Sequence, residues 1–328
     1  MASNGNAGQD QLKFKNQIKC DKMANDAGKA KKKKRRKLIS TIVTVTLLVF
    51  LVGGLGVMLY PSISDWWNSF HATRAISDYV AAVEAVDNSE LERMIDAAKQ
   101  YNRKLYHDQH FVLEDDEYLE YEKLLDVSGT GIMGYISIPS ISVNLPIYHG
   151  TSEEVLQIAA GHLAGSSLPV GGESTHSIIS GHRGLPSAKL FTDLDRLVVG
   201  DTFVISILNE NITYRVDQIK VVLPEDTSEL MITSGKDYCT LVTCTPYGIN
   251  THRMLVRGHR VENEEEELVV FITADATKVP NYIVAMFIII PTLVIMTIVY
   301  LIFTSRKKKT LTTYEILDEL KNQNKDSD

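Results

Sequence analysis

The 328 residues are 44% hydrophobic, enough for a folded core, and carry a formal net charge of -7. The three cysteines, Cys20, Cys239 and Cys244, are too few for a disulfide-dense scaffold or a four-cysteine zinc site. Residues 65–278 hold 33 acidic against 16 basic residues, so an acidic middle lies between basic ends. This middle lacks the basic face that a nucleic-acid-binding protein needs.

Two uncharged apolar segments, residues 38–60 and 282–304, are each long enough to cross a bilayer, which requires about 20 apolar residues. A lysine- and arginine-rich run at residues 29–37 precedes the first segment, and residues 306–309 follow the second. Because such residues stay on the cytoplasmic side of a span, both termini are expected in the cytoplasm and the acidic middle outside.

Two alternatives compete with a first transmembrane helix. A cleaved signal peptide would have a shorter apolar core and small residues at its cleavage site, whereas this segment ends in Tyr60-Pro61. The basic run could also be a nuclear or nucleic-acid-binding patch. The adjoining apolar segment makes membrane topology the simpler interpretation.

Helical spacing dominates the sequence between the first span and about Leu125. Ser89-Glu90-Leu91-Glu92 fits a capping box and predicts a helix start at Ser89. Beyond Gly129, short β-branched runs separated by turn residues predict an antiparallel or mixed barrel or sandwich. The predicted strands are 133–138, 143–147, 177–180, 202–208, 212–222, 240–243 and 254–256, with short helical or turn insertions at 155–160 and 190–197.

Composition and pattern together divide the chain into seven parts. They are a basic cytoplasmic tail (1–37), a transmembrane helix (38–60), an external helical segment (61–128), a β-rich domain expected to form a barrel (129–262), an acidic linker (263–281), a second transmembrane helix (282–304) and a cytoplasmic tail (305–328).

Cys244 is the strongest candidate nucleophile. It ends the β-branched run that begins at Thr240, and Pro246 and Gly248 then force the chain out of the strand, so the thiol is held by a sheet and opens onto a loop. A buried structural cysteine is the alternative. A disulfide with Cys239 is disfavoured, because residues five apart in a strand point to opposite faces.

A thiol nucleophile needs a proton acceptor or a nearby cation. Among the nine histidines, His182 follows the apolar run 177–180 and a glycine, so it also lies where a strand meets a loop. His176 and His162 compete with it on composition alone. For the oxyanion formed when a carbonyl is attacked, Arg253 and Arg257 offer guanidinium donors on one face of a predicted strand. Periodicity does not decide between them, and both could simply balance the acidic surface.

These stretches resemble the sortases, and most closely their class C, pilus-assembling branch. The resemblance is carried by residues 178–186 (IISGHRGLP), 240–248 (TLVTCTPYG) and 250–253 (NTHR), with 131–139 (GIMGYISIP) similar to the start of the sortase barrel. It implies a mainly β fold: a sortase-like closed β-barrel with short helices, preceded by a helical segment and flanked by two transmembrane helices. It also implies the cell membrane of a Gram-positive bacterium.

The resemblance assigns Cys244 as nucleophile, His182 as proton carrier and Arg253 as the oxyanion or substrate clamp. The implied reaction is cleavage of a Leu-Pro-x-Thr-Gly-like signal between threonine and glycine through a thioacyl-enzyme. A lysine amine of a pilin subunit then accepts the acyl group. No cofactor or metal is implied, and the partners are surface proteins with a C-terminal sorting signal.

One family feature is absent. Class C sortases usually carry an Asp-Pro-aromatic lid before the barrel, and the corresponding region has only Asp108-Gln109-His110-Phe111, in which Asp108 and Phe111 are the possible lid residues. Three alternatives to a pilin polymerase remain. A sortase could instead anchor proteins to the peptidoglycan cross-bridge, the chain could be a non-enzymatic adhesion module, or it could be a zinc hydrolase, although no His-Glu-x-x-His or paired Cys-x-x-Cys spacing is present.

Overall fold

The computed structural model describes residues 6–263 and Thr297. Side chains are described for Met23, for residues 25–263 and for Thr297. The chain divides into two units, Met1–Tyr60 and Pro61–Asp328. Helix α1 (Asn6–Glu84) contributes to both.

Among the described residues, one helical stretch, Asn25–Glu84, is long and apolar enough to cross a membrane, with a mean hydropathy of 2.6 over its most apolar window. None of that window is buried, and side chains such as Phe50 and Val57 are largely exposed. This stretch contains the predicted first span, residues 38–60. The predicted second span, 282–304, lies outside the described residues except for Thr297. Residues 264–281 and 305–328 also lie outside them.

The second unit is an eight-stranded closed barrel preceded by helices. After α1, the helices are α2 (Asn88–His107), α3 (Asp115–Glu122) and α4 (Glu153–Leu156). The strands are β1 (Ile132–Ile138), β2 (Val143–His149), β3 (Ala160–His162), β4 (Thr175–Ser180), β5 (Thr202–Ile207), β6 (Glu210–Val222), β7 (Asp237–Thr245) and β8 (His252–Val261).

The strands close in the order β1-β2-β3-β4-β7-β8-β6-β5, with β5 returning to pair with β1. The β2–β3 and β4–β7 pairs are parallel and the others antiparallel. Closure leaves no free sheet edge. The predicted closed barrel with helices and an N-terminal helix is confirmed.

Alternation along the strands places one set of side chains inside the barrel. Ile136, Phe203, Ile205, Leu241 and Val256 are each 0% exposed, and burying an aliphatic or aromatic side chain of this size stabilises the fold by about 1.5–3 kcal/mol. This core fixes the strand register, because a one-residue slip would turn these side chains outward.

Two buried polar side chains fasten the helices to the barrel. The Tyr79 hydroxyl of α1 donates to the Met133 carbonyl oxygen (2.9 Å) and accepts from the Leu208 N–H (2.7 Å). On α2, the Asn102 side chain makes hydrogen bonds of 3.0 and 2.7 Å to the backbone of Leu168. The helices therefore pack against the barrel in one fixed position.

The helix start predicted at Ser89 is one residue too far along the chain. Helix α2 begins at Asn88 with Asp87 as its N-terminal cap, and the Ser89 hydroxyl donates to the Asp87 carboxylate (2.6 Å) instead of capping the helix. The capping box lies on α3, where the Glu117 carboxylate accepts from the Glu114 N–H (3.0 Å).

Candidate active site

Cys244 and Arg253 form one row across β7 and β8, and His182 follows the end of the neighbouring strand β4 in line with that row. In the β7–β8 pair, Cys244 lies directly opposite Arg253. In the parallel β4–β7 pair, Ser180, the last residue of β4, lies opposite Val242, and His182 and Cys244 each follow two residues further along the chain. The structure therefore pairs Cys244 with Arg253 and places His182 in the loop that begins at the same end of the sheet.

Hydrogen bonds continue the β4–β7 pairing up to this row. The Gly181 N–H donates to the Val242 carbonyl oxygen (3.0 Å), and the Thr243 hydroxyl donates to the Gly181 carbonyl oxygen (2.7 Å). Gly181 has no space for a larger side chain, because a Cβ there would lie 2.6 Å from the Phe191 ring. The residue before His182 is thus locked to the residue before Cys244.

Cys244 is a free, half-buried thiol, whereas Cys239 is free and fully buried. Burial raises the pKa of the Cys239 thiol well above its ordinary value, and the Asp237 charge adds to the effect. Cys239 is therefore an inert core side chain, and the predicted opposite orientation of the two cysteines is what the strand geometry shows.

Burial separates His182 from its two competitors. His162 is fully buried, with its Nε2 2.9 Å from the Ser167 carbonyl oxygen, and its pKa falls to about 4 because burial disfavours the charged form. His176 is also buried, with its Nε2 2.7 Å from the Thr240 hydroxyl, and burial lowers its pKa. The His182 side chain is 24% exposed and its Nε2 lies 3.4 Å from the Glu153 carboxylate.

The two arginines share a face of β8, as predicted, but have different environments. Arg257 makes two hydrogen bonds of 2.9 and 3.2 Å to the Asp217 carboxylate and stacks over the Tyr238 ring at 4.3 Å. Among the described residues, Arg253 makes hydrogen bonds only to the backbone carbonyl oxygens of Asn250 (3.3 Å) and His252 (3.2 Å). Arg253 therefore keeps guanidinium donors available beside Cys244, whereas Arg257 is engaged four residues away.

The two possible lid residues, Asp108 and Phe111, have different environments in the structure. Phe111 packs on a small apolar cluster that includes Ile178, Val242 and Leu255. Val242 and Leu255 form a cross-strand pair two residues away from the Cys244–Arg253 pair. The two pairs therefore lie on the same face of the sheet, in adjacent rows. Asp108 is exposed at the end of α2, where its N–H donates to the Leu105 carbonyl oxygen (3.1 Å).

Gln109 was not singled out by the sequence analysis, yet it fastens this segment. Its side-chain amide donates to the Leu230 carbonyl oxygen (3.4 Å) and its side-chain oxygen accepts from the Ile232 N–H (2.8 Å). The backbone of His110 and Phe111 also runs close to Gly165, where an added Cβ would lie 2.1 Å from the His110 carbonyl oxygen. The segment is held against the barrel from two sides.

Glu153 and Arg183 near the site were also missed. Glu153 starts the four-residue helix α4, and its distance from His182 in sequence gives no signal of contact. Arg183 directly follows His182, and only that adjacency could have drawn attention to it. Among residues 6–263, no group of three or more His, Cys, Asp or Glu is placed to hold a metal ion.

The row supplies the components of acyl transfer by a thiol. The half-buried sulfur can attack a carbonyl, the imidazole can carry the proton, and the guanidinium can donate hydrogen bonds to the oxygen that becomes negative. Cys244 and Arg253 are mounted on paired strands, which hold such groups more precisely than loops do, and His182 lies in the loop directly after β4.

Comparison with known proteins identifies the family. Residues 136–261 match the sequence signature described as "Sortase domain". A crystal structure of sortase C1 from Streptococcus agalactiae is 57% identical, covering 58% of this chain and 100% of that one with a TM-score of 0.57. Sortase C from Streptococcus pneumoniae, whose published description concerns pilin substrate specificity, is 43% identical over 58% of this chain and 97% of that one, with a TM-score of 0.52.

A curated relative, "Sortase A" of Bacillus anthracis, is 26% identical over 223 residues, which is 66% of this chain and 93% of the relative. The predicted resemblance to the sortases and their class C branch is confirmed by these matches. The non-enzymatic and zinc-hydrolase alternatives are set aside with it. The chain belongs to the sortase family and is a cysteine transpeptidase.

Proposed function

We propose that this sortase polymerises pilin subunits, with Cys244 as nucleophile, His182 as proton carrier and Arg253 as the oxyanion or substrate clamp. The pairing of Cys244 with Arg253 across β7 and β8, with His182 just beyond the end of β4, is the observation that carries the proposal. The likeness to the sortase C structures of two streptococci supports the choice of pilins as substrates.

In the first half of the reaction, the Cys244 thiolate attacks the threonine carbonyl of a Leu-Pro-x-Thr-Gly-like signal. Arg253 stabilises the negative oxygen of the tetrahedral intermediate. The threonine–glycine amide bond then breaks, a thioester to Cys244 remains, and His182 protonates the departing glycine amine.

In the second half, the amine of a pilin lysine attacks the thioester after His182 has taken up its proton. The thioester breaks, an isopeptide bond forms and the Cys244 thiolate is regenerated. An amine competes with water for the thioester only where water is excluded, so a covering element is part of the proposal.

Phe111 is the proposed covering residue, with Gln109 as its tether. Phe111 occupies apolar surface one row from Cys244, and an apolar substrate residue bound beside the cysteine would need that same surface. The segment would therefore move before a sorting signal binds. Asp108 is exposed, and its role as a lid residue remains a prediction without structural support.

The proposed setting is the outer side of the cell membrane of a Gram-positive bacterium. Sortases are generally associated with that membrane, and the Asn25–Glu84 stretch is one candidate span. The basic run at residues 29–37 favours a cytoplasmic N-terminus and an external barrel.

The test begins with the full chain in detergent and a peptide ending in Leu-Pro-Glu-Thr-Gly. Mass spectrometry should find an acyl adduct on the peptide containing Cys244, and the Cys244→Ala variant should form none. Cys239→Ala is the matched control, since it removes a buried thiol from the same strand and should leave the adduct in place. An adduct that survives Cys244→Ala would refute the assignment of the nucleophile.

The acceptor is tested separately with a pilin subunit of a sortase C system. A ladder of covalent multimers is expected. A single product joined only to a cell-wall precursor would instead support the second candidate, a sortase that anchors proteins to the peptidoglycan cross-bridge. The likeness to "Sortase A" of Bacillus anthracis favours that candidate, and the chemistry at Cys244 would be the same.

A further inference from the structure

The contacts described so far fix the backbone only on the N-terminal side of His182. Gly181, before it, is locked to β7 through Val242 and Thr243. After it, the chain leaves the sheet, and the His182 carbonyl oxygen accepts from the Phe191 N–H (3.1 Å). Some contact beyond His182 must connect this loop to the loop that follows Cys244 if the two side chains are to keep a fixed separation.

Arg183 makes that connection. Its Nη1 donates to the Thr245 hydroxyl oxygen (3.3 Å), which belongs to the residue directly after Cys244. Its Nη2 pairs with the Asp195 carboxylate, and its guanidinium carbon lies 5.9 Å from the centre of the Tyr247 ring. The Arg183 side chain is only 9% exposed, so this is a buried cation with directed contacts and not a surface charge.

Backbone packing strengthens the same junction. Gly184 has a φ of +79° and lies so close to Tyr247 that an added Cβ would be 3.0 Å from its ring, while the Gly184 N–H donates to the Thr192 hydroxyl (3.1 Å). The loop after β4 and the loop after β7 thus meet through Arg183–Thr245 and Gly184–Tyr247.

We infer that Arg183 is a positioning residue that fixes His182 relative to Cys244. The inference rests on the roles proposed above for these two residues. The residue before His182 bonds to the residue before Cys244, and the residue after His182 bonds to the residue after Cys244. Both flanks of the proton carrier are therefore tied to both flanks of the nucleophile.

The chemistry of arginine suits this position. A planar guanidinium can donate to Thr245 and Asp195 in two fixed directions at once, whereas a lysine ammonium is a single point charge. The Arg183 Nε is buried without a hydrogen-bond partner among the described residues. The directed contacts of Arg183 are therefore those of its two terminal nitrogens, to Thr245 and Asp195.

The test measures the rate at which iodoacetamide alkylates Cys244, across pH, by mass spectrometry of its peptide in the full chain in detergent. Arg183→Gln should slow alkylation at neutral pH about tenfold, because a misplaced His182 would lose part of the roughly 10²–10⁴-fold that a positioned proton acceptor contributes. In a His182→Ala background, the same substitution should change the rate less than twofold, because Arg183 acts through His182. Arg196→Gln, at an exposed arginine of the same loop, is the matched control and should have no effect.

Thr245→Val is the second variant, since it removes only the hydroxyl that Arg183 bonds and leaves the Asp195 pair intact. It should slow alkylation about threefold with the barrel still folded, and it decides the matter if Arg183→Gln fails to fold. Equal effects of Arg183→Gln with and without His182, or wild-type rates in Thr245→Val, would overturn the inference. Unchanged alkylation in His182→Ala alone would refute the proposed role of His182 instead, so the two failures are distinguishable.

Discussion

Acid should destabilise the barrel through His162, because this imidazole is buried in its neutral form. Its Nδ1 accepts from the Tyr121 hydroxyl (2.9 Å) and its Nε2 N–H donates to the Ser167 carbonyl oxygen (2.9 Å), so both nitrogens have partners without a second proton. Burial holds the pKa at about 4, against 6.5 for an exposed histidine.

The sign and size of the effect follow from these two values. Between pH 6.5 and about 4, the unfolded chain binds a proton at His162 that the folded chain does not bind. The free energy of unfolding therefore falls as the pH falls, by about 1.4 kcal/mol per pH unit and about 3 kcal/mol over the whole interval. That is a large part of the ~5–15 kcal/mol by which a protein of this kind is stable.

The assay is urea unfolding of the full chain in detergent, followed by the near-ultraviolet circular dichroism of its buried tyrosines. His162→Gln is compared with wild type at neutral pH and at about pH 5, and the variant should lose about 2 kcal/mol less on acidification. The comparison is necessary because burial also lowers the pKa of His176, which gives acid sensitivity of the same sign. Parallel losses in wild type and variant would refute the reasoning.

Three further predictions concern the site. Arg253→Lys should lower kcat/KM for a sorting-signal peptide about 10²-fold, as loss of an oxyanion donor does, whereas Arg257→Lys should change it far less; equal losses would contradict the choice of Arg253. Phe111→Ala should speed alkylation of Cys244 several-fold by uncovering the cluster beside it, with Val112→Ala as the control because Val112 is 84% exposed. Gln109→Ala should reproduce part of the Phe111→Ala effect, and wild-type alkylation in both variants would exclude a covering role.

The strands were largely predictable because each long strand has a β-branched core face of its own. Six of the seven runs identified in the sequence lie wholly within strands of the barrel, and the seventh, 202–208, extends one residue beyond the end of β5. The missed strand, β3, has only three residues, Ala160–His162, too few for any periodicity to show. The pairing of β4 with β7 was not predictable either, because it joins segments about 60 residues apart through contacts that no local pattern reports.

Periodicity gave the face of each arginine but not its surroundings. Arg253 and Arg257 are four residues apart and share a face, so alternation alone treats them alike. Asp217 distinguishes them, since it lies on β6 and neutralises Arg257 through two hydrogen bonds. In the same way, the sequence showed that the usual lid triplet is absent, but the packing of Phe111 on the apolar cluster and the hydrogen bonds of Gln109 were visible only in the structure.

The histidines show why a role in proton transfer depends on what remains unbonded. In His162 and His176 both ring nitrogens have partners, and burial lowers both pKa values, so neither imidazole has a nitrogen available to a substrate at neutral pH. His182 has one partner, the Glu153 carboxylate at its Nε2, and its Nδ1 has none among the described residues. A proton carrier needs one nitrogen held in place and the other able to exchange its proton. Of these three histidines, His182 alone meets both conditions, and the residues on either side of it are hydrogen-bonded to Thr243 and Thr245, on either side of Cys244.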